Sequence, residues 1–181
     1  MVLDIGRKKF EISVVEKNTY KIIEIDGGNL GGDDFDEKIK NYFFSHIKEK
    51  IKLDLADLES RDIYRLSEEA RRAKEILSEV AECYVHYPSL TLNGKNYDLD
   101  FTRQMLEKIC KPLFDIIFDK LKNFLKYDID EIILSGETCN IPYIREKIKS
   151  LSNYESTNNL AAIGAAHIAE KIFERRKFLY D

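Results

Sequence analysis

No stretch of the 181 residues approaches the roughly 18 consecutive apolar positions that a membrane-spanning helix needs, and no signal-peptide pattern opens the chain. A membrane partner is therefore not expected. Cysteine is scarce: Cys83, Cys110 and Cys139 are odd in number, far apart and without metal-site spacing. Reduced thiols in a cytosol-like compartment follow, and a cytoplasmic location is expected. The three histidines, His46, His86 and His167, are equally scattered, so no metal site is expected. There is no excess of positive charge either. With 29 Lys and Arg against 33 Asp and Glu, the net charge is −4, which leaves no broad basic field for nucleic acid. Internal repeats and low-complexity tracts are absent as well.

What is present is a core. Apolar residues make up 44% and charged residues 34%, enough for one domain or two closely packed subdomains. Three strands open the chain, Val2–Ile5, Phe10–Glu16 and Tyr20–Ile25, joined by short turns as an antiparallel meander. The glycine-rich segment 26–32 reads as a loop that feeds a helix at Asp33-Asp34, acidic residues suited to a helix N-terminus. Helical spacing of apolar residues predicts helices from about Asp34 to Ile51 and from about Asp62 to Glu82.

A strand at Cys83–Tyr87, ended by Pro88, comes next. Leu90–Leu92 and Tyr97–Leu99 flank Asn93-Gly94 as a hairpin. Thr102 is the expected N-cap of a helix running to about Lys126, bent or divided at Pro112. A buried strand at Ile129–Ser135, a loop at Gly136–Ile141, a short helix from Pro142 to Leu151 and a last helix from Asn159 to about Phe178 complete the order. The class is α/β, with a helix and hairpin unit grafted onto a mixed sheet.

Four segments carry a resemblance. Leu3-Asp4-Ile5-Gly6 with Phe10-Glu11-Ile12-Ser13 resembles the second phosphate loop of the DnaK-type, seventy-kilodalton heat-shock chaperones. Leu30-Gly31-Gly32-Asp33-Asp34-Phe35-Asp36 is similar to that family's Leu-Gly-Gly-Glu/Asp-Asp-Phe-Asp motif, the most specific of the four. Arg72-Ala73-Lys74 with Leu77-Ser78 resembles a family helix. Ile132–Gly136 with Ile141-Pro142, followed by Ala162–Ala166, resembles its adenosine loop and closing helix. The resemblance implies an actin-like, ribonuclease H-like fold: the second lobe of an ATPase domain. Residues 1–34 and 127–181 would form the ribonuclease H-like subdomain, and 35–126 an inserted helical and hairpin subdomain. It further implies that the first lobe precedes Met1 and that the interdomain linker starts near Phe178-Leu179-Tyr180-Asp181.

On this resemblance the ligand is ATP or ADP with magnesium, bound weakly or not at all, and none is expected on the isolated lobe. Asp4 stands where the family places a carboxylate near magnesium and the attacking water. Gly6, Lys9, Gly31, Gly32, Lys74, Ser78, Gly136 and Asn140 are the expected contacts of a weak or lost nucleotide site. Phosphate cradles use glycine because backbone N–H groups must approach an anion without an intervening Cβ. Here only Gly6 remains of that run, and Arg7-Lys8-Lys9 fill the rest. Either those side chains replace the backbone donors, or the loop has become an ordinary exposed basic turn.

At the adenine end, Glu75 and Asn140 occupy the places of two arginines that sandwich the purine in the family. Arg71 replaces a ribose-binding glutamate, Glu137 a glycine and Asn158 an aspartate. Losing two stacking contacts of about 0.5–2 kcal/mol each weakens binding by an order of magnitude or more. Lys74 and Ser78 could equally be plain helix-surface residues. Cys139 is expected to be an exposed, unreactive thiol.

Two functions compete. One is half of the nucleotide site of an ATP-driven chaperone, whose first lobe and substrate-binding domain lie elsewhere and which alone does not hydrolyse ATP. The other is a non-catalytic module that engages a nucleotide-exchange factor or co-chaperone, with Tyr84, His86 and Tyr97 as contacts or as strand residues packed on helices. Ile109–Leu113 is similar to a Pro-Leu step of the HscA-type branch, which serves iron–sulfur assembly. An exposed cleft face is also expected to promote dimers.

Overall fold

A computed structural model of the chain describes residues 1–52, 58–90, 95–151 and 154–156. The first three strands, β1 (Val2–Ile5), β2 (Phe10–Val15) and β3 (Ile22–Gly28), form the antiparallel meander that the alternation predicts. Leu3, Ile5, Phe10, Ile12 and Val14 point inward at 5% exposure or less, while Asp4 and Glu11 between them face out.

β3 starts later than expected and runs on through Gly27 and Gly28, which pair with Glu11 and Phe10. These glycines read as loop in the sequence but belong to the strand. The Phe10 ring lies against Gly28, where a Cβ would come within 2.8 Å of it, so close approach accounts for the residue type.

Helix α1 (Gly32–Ile51) buries Phe35, Ile39, Phe43, Phe44 and Ile47 on one face. Helix α2 (Ser60–Glu79) buries Leu66, Ala70, Ala73 and Leu77, whose small middle residues let α1 approach closely. Its C-terminus is capped from a distance. Arg103 donates through Nε to Leu77 O at 2.9 Å and through Nη2 to Val80 O at 2.9 Å, satisfying carbonyls that a helix end leaves open.

The hairpin differs from expectation. Strand β4 (Glu82–Leu90) continues past Pro88 and pairs with β5 (Lys95–Thr102), with Tyr87 opposite Tyr97 and Leu90 opposite Lys95. The register slips between those two pairs. Proline lacks an N–H for the ladder, and such an irregularity in a two-stranded sheet is where it is tolerated. The expected turn at Asn93-Gly94 lies outside the described residues, as does Leu92.

Helix α3 (Arg103–Lys122) is capped by Thr102, whose hydroxyl accepts from Met105 N at 3.3 Å. It is one helix across Pro112 rather than two. Pro112 and Lys108, the residue whose carbonyl loses its partner, both sit on the exposed face, where water can serve that carbonyl. Beyond the helix, turns of the 3-10 kind through Tyr127 bury Phe124.

β6 (Ile132–Ser135) then pairs with β1 in parallel, and β7 (Tyr154–Ser156), a strand the sequence reading lacked, pairs in parallel with β6. The sheet order is therefore β3-β2-β1-β6-β7, and α1, α2, the hairpin and α3 form an insertion between β3 and β6. A 3-10 helix at Glu137–Asn140 replaces the expected loop and leads into α4 (Pro142–Lys149), with Pro142 in its first turn. The helix expected from Asn159 to Phe178 lies outside the described residues, as do Asn158, Ala162–Ala166 and the segment 178–181. No described helix is long and apolar enough to cross a membrane.

Candidate functional site

A cleft of about 1240 Å³ opens where the β1–β2 turn, the first turns of α1, the middle of α2, the 3-10 helix and the start of α4 meet. Of the residues singled out in the sequence, Gly6, Gly32, Lys74, Ser78, Gly136 and Asn140 line it together. Three others lie elsewhere. Lys9 faces a separate shallow depression beside Gly27 and Gly28, because the tight turn closed by Gly6 N to Lys9 O at 2.9 Å directs it away. Gly31 sits behind the cleft wall. Asp4 is exposed on β1 beside Gly136, its Oδ1 2.8 Å from where a Cβ on that glycine would stand.

Two glycines are fixed by geometry. Gly136 has φ +83°, and a Cβ there would lie 2.2 Å from Ile5 O, so both conformation and space demand glycine. At Gly31 a Cβ would come within 2.5 Å of the Arg7 carbonyl. That contact belongs to a seam joining the β1–β2 turn to α1, in which Gly32 N donates to Gly6 O at 3.0 Å and Asp33 N to Arg7 O at 2.8 Å. The Asp34 carboxylate accepts from Gly31 N at 2.7 Å and caps the helix. The amino end of α1 thus spends its first N–H groups on protein carbonyls. Thr138, buried in the 3-10 helix, adds a hydroxyl donation to Gly6 O at 3.1 Å.

Several charged groups are likewise paired inside the cleft. Arg7 Nε pairs with Asp33 Oδ1 at 2.7 Å, and Lys8, next in the turn, is exposed outside the cleft lining. Lys74 Nζ lies 2.6 Å from Asp36 Oδ1 and donates to Gly32 O at 3.1 Å. Burial pushes the Asp36 carboxyl above the usual carboxylate range, with Lys74 opposing the shift. On α2, Arg71 pairs with Glu75 one turn on at 3.0 Å, and the carboxylate raises the Arg71 pKa further. Ser78 donates back to Lys74 O at 3.1 Å within its own helix. Along the lining, acidic side chains outnumber basic ones seven to five.

Arg145 escaped the sequence reading. From α4 it donates through Nε to Cys139 O at 3.2 Å and through Nη2 to the Asn140 side chain, and it lines the cleft. Pro142 at the start of a helix was the available signal, since it sets residue 145 one turn along and facing back toward residue 141. Cys139 is not exposed as expected. It is 2% exposed beneath β1, and burial pushes its thiol up to about 12, so it is an inert core thiol. Among the described residues no group of His, Cys, Asp and Glu could hold a metal ion.

On the hairpin's outer face, Tyr84 and His86 stack with ring centroids 6.2 Å apart, and both bond Asp98. Tyr97, offered with them as a contact, is instead 1% exposed against Phe43 and His46.

An antiparallel meander continued by parallel strands, an inserted helix and hairpin unit, and a cleft at the strand ends define a lobe of an actin-like ATPase domain. The family model described as Hsp70 protein matches residues 1–174, and the chain belongs to the Hsp70 family. The chaperone protein dnaK of Phaeodactylum tricornutum is 32% identical over 92% of this chain and 30% of its own length. The chaperone protein DnaK of Mycoplasma mycoides subsp. mycoides is 31% identical over 92% of this chain and 31% of its own. The chloroplastic stromal 70 kDa heat shock-related protein of Pisum sativum is 29% identical over 92% and 26% respectively. The chain thus spans about 30% of the length of the curated relatives it matches.

Proposed function

We propose that this chain is the second lobe of a chaperone ATPase domain whose nucleotide contacts have been weakened by internal pairing. The carrying observation is the seam at the amino end of α1, where Gly32 and Asp33 give their N–H groups to Gly6 and Arg7 carbonyls. Magnesium-bound ATP or ADP is the ligand the family implies, and the residues here fit it poorly. Arg7, Lys74 and Arg71 are already matched by Asp33, Asp36 and Glu75, and the lining is acidic overall. A polyanion entering this cleft meets more carboxylates than cations along its walls, which opposes binding. By the family resemblance, Asp4, exposed on β1 beside Gly136, would be the carboxylate that faces magnesium. The three free, buried thiols suit a reducing, cytosol-like compartment.

Calorimetric titration of the complete ATPase domain with magnesium-ATP tests this reading. Affinity weaker than about 10 μM, or no heat, is expected; micromolar or tighter binding overturns it. This chain alone is expected to show no turnover of ATP, because it supplies only one wall of the cleft.

A second reading, a binding module for a co-chaperone or exchange factor, is favoured by the hairpin's outer face. There Tyr84 is 58% exposed and stacked on His86, an aromatic anchor of the kind interfaces use.

A further inference from the structure

The walls of the cleft offer a ligand two kinds of chemistry. At the amino end of α1, the N–H groups of Gly32 and Asp33 are spent on the Gly6 and Arg7 carbonyls, so those donors are lost to an anion. Four of the seven carboxylates in the lining are held by cations, whereas Glu68, Glu79 and Glu137 form no ion pair among the described residues. Each phosphate group brought into this cleft therefore adds repulsion. The same carboxylates accept hydrogen bonds from neutral hydroxyl and amino groups.

The second kind of chemistry centres on Arg145. Its guanidinium is fixed along its edge, with Nε donating to Cys139 O at 3.2 Å and Nη2 to the Asn140 side chain. Bonds made in the plane of the group leave its flat faces for stacking, and Arg145 lines the cleft. The side chain comes from α4, and both acceptors belong to the 3-10 helix, so the plane is set before any ligand arrives. A planar cation fixed in advance gives up little entropy when a ring stacks on it. The cleft, at about 1240 Å³, has room for a fused ring with its sugar.

We propose that the cleft selects a nucleoside, an uncharged planar base on a hydroxylated sugar, over its phosphorylated forms, with Arg145 stacking on the base. This rests on the weak-nucleotide reading and gives it a direction: affinity resides at the base and falls with each added phosphate. Glu68, Glu79 and Glu137 are the acceptors available to the sugar hydroxyls.

Adenosine, AMP and ATP are the probes, each titrated calorimetrically into this chain in the absence of magnesium. Circular dichroism melts establish that every variant is folded. Adenosine is expected to bind at least about threefold more tightly than ATP, with AMP between them. Arg145→Met is expected to weaken adenosine about five- to tenfold. Arg145→Lys keeps the charge without the plane and is expected to recover less than about half of that loss. Saturation-transfer NMR is expected to mark the base protons of adenosine most strongly. In Arg145→Met that signal falls relative to the ribose signal, a change that mere loosening of the 3-10 helix would not give. ATP binding more tightly than adenosine, no binding of adenosine, or an unchanged adenosine affinity in folded Arg145→Met overturns the proposal, as does full recovery by lysine. The ranking of adenosine over ATP needs no variant, so it decides the matter even if Arg145→Met does not fold. The weak-nucleotide reading concerns magnesium-ATP on the complete domain, whereas this one concerns the order of three ligands on this chain, so either can fail alone.

Discussion

Helices α1 and α2 each present two faces, and the faces follow different rules. Inward, Phe35, Ile39, Phe43 and Ile47 of α1 meet Leu66, Ala70, Ala73 and Leu77 of α2 at regular helical spacing. Toward the cleft, Asp33 and Asp36 of α1 and Arg71, Lys74 and Glu75 of α2 are fixed by individual partners, some dozens of residues away. The apolar face is governed by volume and close packing. The cleft face depends on which charge happens to stand opposite. Apolar burial therefore lies on one side of these helices and the paired charges of the cleft on the other.

The sharpest way to break that division is Phe43→Ala. Phe43 is fully buried and packs on Phe101 at 5.2 Å and 80°, as well as on Tyr42 and Tyr97. A loss of about 3–5 kcal/mol in denaturant unfolding is expected. A loss under 1 kcal/mol would mean that the insertion core is not where stability resides.

Next in size is a pair of glycine changes at the cleft. Gly136→Ala is expected to cost about 1–3 kcal/mol, since φ is +83° and the methyl meets Ile5 O. Gly6→Ala is expected to stay within about 0.5 kcal/mol, its methyl lying 3.5 Å from Lys9 O. Equal effects would show that the two loops are not held differently.

The smallest effect concerns pH. The folded-state pKa of Asp36 is raised by burial, so the native state binds that proton more tightly than the unfolded chain. Its contribution to stability is therefore most favourable below the ordinary carboxylate value. It declines as pH rises through the window just above that value. Thermal melts of wild type and Asp36→Asn across that window check the sign, and parallel curves would show that Asp36 is not the titrating group.

Much of the architecture was legible in the residues. Alternation in Phe10–Val14 and helical spacing from Phe35 to Ile47 translate directly into buried faces, because period is a local property. Gly27 and Gly28 misled because glycine marks both loops and close strand approach, and only the neighbouring Phe10 ring decides between them. Pro88 misled for a similar reason, since its tolerance depends on a register slip in the paired strand. Within the cleft, the contributing loops could be named but their pairings could not. Lys74 finds Asp36, Arg103 finds Leu77 O, and Cys139 is covered by β1, contacts that nothing local in the sequence encodes.

The parallel ladder between β1 and β6 has a kinetic consequence. Val2 pairs with Ile133 and Asp4 with Ser135, so this single seam closes a loop containing the whole insertion. Closing so long a loop through unstructured chain is slow, although each doubling of length adds only about 0.6 kcal/mol. If α1, α2, the hairpin and α3 fold first, the two strands are delivered close together and the effective loop is short. The insertion then acts as the clasp that lets the sheet zip shut, and refolding of the sheet should wait on the aromatic cluster around Phe43.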